Sequence, residues 1–327
     1  MAAQSDRTND NNKLNKANKV KDDEFYTQLK DIEKELPHYQ DYFKDKIILC
    51  NCDDPSKSNF FKYFAINFDQ LGIKQLIATY FNANKPVYRY EVNNALSLNK
   101  DGNIDLTEVK KTPLQQQGDF QSSECIEILK SADIVVTNPP FSLFRAFIEV
   151  LMQHEKQFLV IGNSNAISYK DCFEYIMNDQ MWLGYNNVRW FYKPDGTLFE
   201  AARSFWYTNL DNLKRHKRFE LDKTFCADDY PQYDNIHAIE VGKAKNIPID
   251  YSGVMGVPIT FIDKYNPDQF EIVGLDYHVK EGRLPHLVKS EWQGKLDRAY
   301  LKGKRLYSRV LIRHNLDNTA HIIMNKD

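Results

Sequence analysis

The fold is decided by the stretch DIVVTNPPF, residues 133–141. An acidic residue is followed by four residues of the kind that fill a buried strand, and a helical pattern over residues 141–153 follows the two prolines. On both sides of this stretch, short apolar segments again alternate with amphipathic ones. Strands that are apolar along their whole length and alternate with helices predict a parallel sheet covered on both faces.

The same patterns extend over residues 22–210, which we predict to be one domain. They predict strands over 46–50, 74–79, 133–137 and 157–162 and a hairpin arm over 87–92. They also predict four helices: one that ends at Leu36 before Pro37, one that begins at Asn59, and two that cover 123–131 and 141–153. Beyond residue 180, aromatic-rich strands surround a turn at residues 193–196. Residues 1–21 are polar and predicted to form a disordered tail, and residues 211–327 form a second region.

The composition limits the class of protein. The 327 residues are 42% hydrophobic and 27% charged, as in a globular protein, and the formal net charge of -2 means that any nucleic-acid surface must be local. No apolar run approaches the length of a membrane span, so no membrane association is expected. The five cysteines include no CxxC pair, which argues against a disulfide framework and a metal site and favours the cytoplasm.

The tetrapeptide Asn138-Pro139-Pro140-Phe141 carries the chemistry. It follows a strand at the carboxyl edge of the expected sheet, where open α/β sheets bind ligands. The Asn138 side-chain oxygen and the Pro139 carbonyl can accept the two N–H bonds of a planar amino group, which frees the nitrogen lone pair for a methyl group. The prolines fix the loop, and Phe141 offers a stacking surface for an extruded base. We therefore predict methylation of adenine N6 in DNA; the alternative is a turn that only caps the next helix.

Three segments are candidates for binding S-adenosylmethionine. They are the turn after the first strand, a Gly-Asp-Phe segment and a Phe-Tyr-Thr segment near the start of the domain. The residues concerned are Asn51, Asp53, Asp54, Pro55, Ser58, Asn59 and Phe60, then Asp119 and Phe120, and then Phe25, Tyr26 and Thr27. The turn lacks the usual glycines, since Ser58 and Asn59 stand where glycine is expected. Each segment also has an ordinary alternative: a strand-turn-helix connection, a common turn, and a helix cap at Thr27.

A basic run near the C-terminus predicts contact with DNA phosphates. Residues 289–327 contain nine Lys or Arg and four Asp or Glu, a net charge of +5. The candidate contacts are Lys302, Lys304, Arg305, Arg309 and Arg313. We accordingly predict that residues 211–327 are a DNA target-recognition region; the alternative is an ordinary charged edge strand.

Taken together, these segments resemble the EcoRI-type adenine-specific methyltransferase family. The resemblance is carried by DEFYTQ (23–28), CNCDDP (50–55), SNFFKYF (58–64), VVTNPPFS (135–142) and GVPITFIDKYNP (256–267). It implies a Rossmann-like class I methyltransferase core with a mixed, mostly parallel sheet, S-adenosylmethionine as cofactor, and double-stranded DNA as substrate with flipping of the target adenine. The family's namesake protects GAATTC, which makes GAATTC a candidate target.

Two other functions remain open at the level of sequence. Asn-Pro-Pro followed by an aromatic residue also suits methylation of an RNA base or of a protein glutamine amide, although those enzymes more often carry Tyr after the prolines. A catalytically silent DNA-binding relative would explain the glycine-poor turn. For the preferred function we expect a monomer that works beside a separate restriction endonuclease or as an orphan enzyme.

Overall fold

The computed structural model describes residues 25–99, 102 and 104–315, so the predicted tail over residues 1–21 lies outside the described part of the chain. The described residues divide into two compact units. The first contains the residues up to Cys172 together with Met181–Asn212, and the second contains Phe173–Gln180 and the residues from Leu213 onward. The division falls two residues after the expected boundary at residue 210, and the short segment 173–180 belongs to the second unit.

The first unit alternates strands and helices. Its described strands are β1 Tyr26–Thr27, β2 Ile47–Asn51, β3 Gln75–Thr79, β4 Val87–Val92, β5 Lys110–Leu114, β6 Ile134–Thr137, β7 Gln157–Asn163, β8 Trp182–Tyr192 and β9 Leu198–Thr208. Its α-helices are α1 Leu29–Glu35, α2 Gln40–Phe43, α3 Asn59–Ile66, α4 Phe68–Leu71, α5 Ser123–Ser131 and α6 Phe144–Gln153. Short 3-10 helices cover Leu36–Tyr39, Leu106–Glu108, Phe141–Leu143 and Ser164–Ser168. The helix α7 Lys170–Met177 begins in this unit and ends in the second.

Within the described residues the nine strands form one sheet in the order β1-β8-β9-β7-β6-β2-β3-β4-β5. The four central strands β7, β6, β2 and β3 pair in parallel, and the outer pairs are antiparallel. Six strands therefore run in one direction, and only β1, β4 and β9 oppose them. This confirms the α/β Rossmann-like fold class with a mixed, mostly parallel sheet.

The strand order creates a switch point between β2 and β6. The chain adds β3, β4 and β5 on one side of β2 and then returns to place β6 on the other side. Loops that leave the carboxyl ends of β2 and β6 therefore diverge, and the gap between them is where such sheets bind ligands. The hydroxyl of Thr137, the last residue of β6, donates a hydrogen bond to the carbonyl of Asn51, the last residue of β2.

The helix boundaries follow local chemistry. Ser58 caps α3 by accepting a hydrogen bond from the Phe61 amide at 3.4 Å, as an N-cap residue does. The expectation that helical structure stops before Pro37 was wrong. Pro37 instead lies in the first turn of the 3-10 helix Leu36–Tyr39, where its missing N–H has no helical partner to lose, and α2 follows directly.

The second unit has its own sheet and core. Its described strands are β10 Ile239–Glu240, β11 Met255–Pro258, β12 Phe270–Leu275, β13 Tyr300–Leu301, β14 Lys304–Arg305 and β15 Arg309–His314, and a short helix α8 covers Leu213–His216. Short 3-10 helices cover Ala244–Asn246, Ile259–Lys264, Asp276–Val279 and Pro285–Leu287. β15 lies between β11 and β12, and β13 and β14 form a separate hairpin. Tyr233, Ile236 and Leu311 are fully buried in a cluster that belongs to this unit alone.

A buried carboxylate joins α1 to β8 within the first unit. Glu35 accepts hydrogen bonds from the Tyr185 amide at 2.7 Å and from the Asn186 amide and side chain, both at 2.8 Å. Gly184 allows this approach, because a Cβ at that position would lie 2.2 Å from the Glu35 oxygen. Burial raises the pKa of Glu35 above its usual 4.5, against the effect of these donors.

We predict that Glu35→Ala lowers the free energy of unfolding by about 2–4 kcal/mol, because these three donors and the Tyr39 hydroxyl lose a buried acceptor. The raised pKa also means that the wild-type protein loses stability as the pH rises from about 4.5 through the folded-state pKa. Chemical denaturation as a function of pH measures both effects. Glu33→Ala, on the exposed side of the same helix, is the control, and equal stability of the two variants would contradict the prediction.

Candidate active site

Asn138 is held in place through one half of its side-chain amide. It follows β6 directly at the switch point, and only 5% of its surface is exposed. Its Nδ2 donates to the carbonyl of Phe25 at 2.5 Å. Its Oδ1 is buried and has no hydrogen-bond partner among the described residues. Because an unpaired buried acceptor is costly, this oxygen is a candidate acceptor for a ligand donor.

The loop after Asn138 is short and stiff. Pro139 is buried and Pro140 is half-buried, and the Pro140 carbonyl accepts from the Leu143 amide at 2.9 Å. The 3-10 helix Phe141–Leu143 therefore precedes α6, which begins only at Phe144, three residues later than the sequence indicated. The two prolines set the backbone direction with which Phe141 enters the site.

Phe141 belongs to an aromatic cluster. Its ring lies 6.1 Å from that of Phe25 and 5.8 Å from that of Phe191, the latter edge-on at 86°. Phe199 stacks on Phe25 with centroids 5.1 Å apart. Phe191 and Phe199 are opposite each other in the β8–β9 hairpin. Sequence reasoning missed both of them; the available signal was their equivalent position on either side of the turn at residues 193–196.

The Phe-Tyr-Thr segment is fixed at the outer edge of the sheet. Tyr26 and Thr27 form β1, which pairs antiparallel with Tyr192 and Phe191 of β8. The Asn59 side chain donates to the Thr27 carbonyl at 2.7 Å and so joins the segment to the start of α3. The hydroxyl oxygen of Thr27 is buried and lacks a hydrogen-bond partner in the described part of the chain.

The turn after β2 brings acidic and amide groups to the same edge. Asp53 is 4% exposed, and its carboxylate accepts a hydrogen bond from the Ser58 hydroxyl at 3.2 Å. The carboxylate of Asp54 accepts a hydrogen bond from the Ser56 amide at 2.9 Å. The Asn51 Oδ1 is a third buried acceptor with no partner among the described residues. Pro55 is also buried, and Phe60 is wholly buried in the core cluster of this unit.

Cys52 has an unusual backbone conformation within this turn. Its φ of 82° is in the left-handed region that favours glycine. Ser58, where a glycine is expected from the sequence, has an ordinary φ of -65° and caps α3. Burial raises the pKa of the Cys52 thiol well above its usual value, and the negative charges of Asp53 and Asp119 act in the same direction. The sequence offered no signal for the role of Cys52.

The Gly-Asp-Phe segment packs against the end of β3. Gly118 has a φ of 72°, and a Cβ there would lie 2.0 Å from the Tyr80 carbonyl oxygen. Asp119 begins the turn into α5, and its carboxylate accepts from the Gln121 amide at 3.0 Å. Phe120 contacts Phe147 of α6 edge-on, with ring centroids 5.1 Å apart. The segments after β2, β5 and β6 thus meet at one edge of the sheet.

We predict that Gly118→Ala lowers the free energy of unfolding by about 2–4 kcal/mol, because it combines a left-handed backbone with a clash against backbone atoms. Gly196→Ala is the matched control, since Gly196 has a φ of 85° but no atom within 4 Å of the added Cβ. That variant should lose only about 1 kcal/mol. Thermal denaturation compares the two, and equal losses would mean that the approach to Tyr80 is unimportant.

The basic run lies in the second unit, and its cations differ in how far they are exposed to solvent. Arg309 is 15% exposed and forms a bidentate ion pair with Glu240 at 2.9 Å, while Arg313 pairs with Glu271 at 3.2 Å. Arg305 pairs with Asp297 at 2.9 Å on the β13–β14 hairpin. Lys302 and Lys304 are at the turn and on the second strand of the hairpin, and Lys304 is exposed. The geometry gives Arg309 a structural role and presents the hairpin cations to solvent.

The described residues include neither a candidate metal-binding cluster nor a helix that could span a membrane. No group of three or more His, Cys, Asp and Glu side chains within them could hold a metal ion. None of their helices combines the length and apolar character that crossing a membrane requires.

Residues 13–315 match a protein family described as "Adenine-specific methyltransferase EcoRI". The chain belongs to this family. The match includes every candidate cofactor, catalytic and DNA-contacting residue and confirms the resemblance inferred from the sequence. Membership means that the chain is a methyltransferase and uses a methyl donor.

Proteins similar to this chain align with it over almost the whole length of both sequences. The "Type II methyltransferase M.EcoRI" of Escherichia coli is 42% identical over 336 residues, which cover 93% of this chain and 97% of that protein. "Type II methyltransferase M.MgeORF184P" of Mycoplasma genitalium is 40% identical, with 92% of this chain and 98% of the relative covered. "Type II methyltransferase M.MpnI" of Mycoplasma pneumoniae is 37% identical, with 92% and 97% covered. No solved structure matches the chain.

Proposed function

We propose that this protein is a site-specific DNA methyltransferase that transfers a methyl group from S-adenosylmethionine to N6 of an adenine flipped out of duplex DNA. The observation that carries the proposal is the buried, unpartnered Oδ1 of Asn138 within an Asn-Pro-Pro-Phe loop. The family description and the type II names of the relatives support it.

The residues at the switch point fit S-adenosylmethionine. That cofactor supplies an electrophilic methyl group on a sulfonium, and it carries an ammonium group and hydroxyls that need acceptors. The buried Thr27 and Asn51 oxygens lack partners among the described residues, and the carboxylate of Asp53 belongs to the turn after β2, at the same edge of the sheet as Asn51. Thr27, Asn51 and Asp53 would hold the polar groups of the cofactor, and Asp119 with Phe120 would hold its adenine.

Asn138 acts by orienting a target amino group. Because the Asn138 Nδ2 donates a hydrogen bond to the Phe25 carbonyl, the Oδ1 faces away from that bond and accepts one N–H of adenine N6. The Pro139 carbonyl accepts the second N–H, so the nitrogen becomes tetrahedral and its lone pair is directed at the methyl group. The nitrogen loses a proton only after the new bond has formed, so the chain needs no general base before attack.

Phe141 receives the extruded base. Stacking on its ring offsets the cost of removing the adenine from the duplex. Phe191 contacts Phe141 edge-on and limits its rotation. Because the Asn138 Oδ1 is covered in this conformation, the base must displace part of the surrounding loop as it enters.

We predict that Asn138→Ala lowers the methylation rate at least about a hundredfold, the effect of losing one oriented hydrogen bond to a reacting group. Calorimetry should show unchanged binding of S-adenosylmethionine, since Asn138 does not contact the cofactor in this proposal. The control is Asn163→Ala, at the end of the neighbouring parallel strand β7. Labelled cofactor with DNA, RNA and protein substrates gives the readout. Label in RNA or protein but not in DNA would refute the proposed substrate, and loss of cofactor binding by folded Asn138→Ala would refute the role of Asn138.

We further propose that the second unit binds the DNA backbone through the β13–β14 hairpin and serves as the target-recognition region. Lys302, Lys304 and Arg305 would contact phosphates, and Arg313, half-exposed on β15, would add to them. The target would be a short sequence such as GAATTC. The enzyme would act as a monomer in the cytoplasm, with a separate endonuclease where one is encoded.

We predict that the double variant Lys302→Ala, Lys304→Ala binds DNA more weakly and reduces the slope of log affinity against log salt by about one per lost contact. Arg309→Ala should instead destabilise the fold by about 3–5 kcal/mol, because it leaves the carboxylate of Glu240 buried without its cation. Fluorescence anisotropy at several salt concentrations and thermal denaturation separate these effects. Lys74→Ala, an exposed cation before β3, is the control, and an unchanged salt slope in the double variant would exclude the hairpin from the interface.

A further inference from the structure

The β8–β9 hairpin extends beyond the end of the neighbouring strand β7. β7 pairs with β9 only over Ser204–Thr208, and its last residue, Asn163, is opposite Ser204. β8 and β9 continue to pair as far as Tyr192 and Leu198. From Val188, which is opposite Ser204, four further residues of β8 extend past the carboxyl edge, a length of about 13 Å. We call residues 188–203 the projecting ribbon.

The two faces of the projecting ribbon differ. Phe191 and Phe199 are opposite each other and pack into the aromatic cluster around Phe141. The alternating positions carry Trp190, Tyr192 and Leu198, which are 40%, 37% and 49% exposed. Large apolar side chains that remain exposed next to a substrate site indicate a binding surface. The ribbon therefore presents its inner face to the proposed base pocket and an apolar outer face to solvent.

Cations lie along the ribbon, and one of them, Lys193, is 5.2 Å from the centre of the Phe199 ring on the inner face. Arg189, Lys193 and Arg203 are exposed along the ribbon, against Asp195 and Glu200. Lys57 donates to the Pro194 carbonyl at 3.1 Å and brings a further positive charge to the ribbon tip from the cofactor turn. Aromatic side chains among cations are the combination that binds unstacked bases and their phosphates.

We propose that the outer face of the projecting ribbon contacts the DNA duplex at the target base pair. Trp190, Tyr192 and Leu198 pack against the bases that become exposed when the adenine leaves the stack, and cations along the ribbon contact the flanking phosphates. This inference rests on the proposed function. A base in the pocket remains joined to its strand, so the strand must run past the ribbon that forms the wall of the pocket.

The size of the apolar face favours DNA over a protein partner. Three partly exposed side chains offer far less than the roughly 800 Å² that each partner of a stable protein complex buries. On the β8 side the tip of the ribbon is already paired, because β1 pairs with Phe191 and Tyr192. The three exposed side chains are therefore the feature that suits stacking against bases.

The experiment begins with wild-type enzyme and adenine-methylation mapping of a plasmid, which supplies the target sequence. A duplex with that target, and the same duplex with the target adenine mismatched, are then used with Leu198→Ala and with the triple variant Trp190→Ala, Tyr192→Ala, Leu198→Ala. Ile66→Ala is the control, since Ile66 is 37% exposed at the far end of α3. Thermal denaturation and binding of S-adenosylmethionine check that each variant is folded.

The triple variant should bind the matched duplex at least about tenfold more weakly and show less 2-aminopurine fluorescence at the target position. The mismatched duplex, whose base is extruded at lower cost, should restore most of the affinity. Leu198→Ala should show a smaller loss of the same kind. Equal behaviour of Ile66→Ala and the ribbon variants, or an equal loss on both duplexes, would overturn the inference. Failure of the wild-type enzyme to methylate DNA would instead refute the proposed function.

Discussion

The hydrogen bond from the Asn138 side chain to the Phe25 carbonyl is the interaction on which the site depends. An amide has one donor end and one acceptor end, so fixing the donor also fixes where the acceptor points. The bond links two segments 113 residues apart: the loop after β6 and the residue before β1. The Phe-Tyr-Thr segment therefore sets the orientation of the Asn138 amide.

The sheet makes this arrangement possible by separating two loops at its switch point. Thr137 bonds the end of β6 to the end of β2, and Asn59 bonds the start of α3 to β1. These contacts hold three acceptors, on Thr27, Asn51 and Asn138, in buried positions where they have no partner in the described part of the chain. Each such atom lowers stability, and their concentration at one edge is the physical mark of a site built for a ligand.

Basic side chains occupy two different environments in the second unit, one largely buried and one exposed. The pair between Arg309 and Glu240 is largely buried and also involves Tyr233, whose hydroxyl bonds to Glu240, so its removal would disturb the core of that unit. The hairpin cations are exposed, where a pair such as Arg305 with Asp297 adds little stability. A basic run that looks continuous in the sequence is thus divided by burial into residues that hold the fold and residues able to contact a polyanion.

The sequence by itself determined the strands predicted over 46–50, 74–79, 133–137 and 157–162, each to within one residue at either end, and the place of Asn138 after β6. These follow from local hydrophobic periodicity and from proline. Only the tertiary structure decided what Asn138 touches and that Cys52 has a left-handed backbone. It also decided that Phe191 and Phe199 join Phe141, and that Arg309 is buried. These features depend on contacts between residues far apart in the chain and on backbone angles that a side chain does not reveal, whereas periodicity reports only on neighbours.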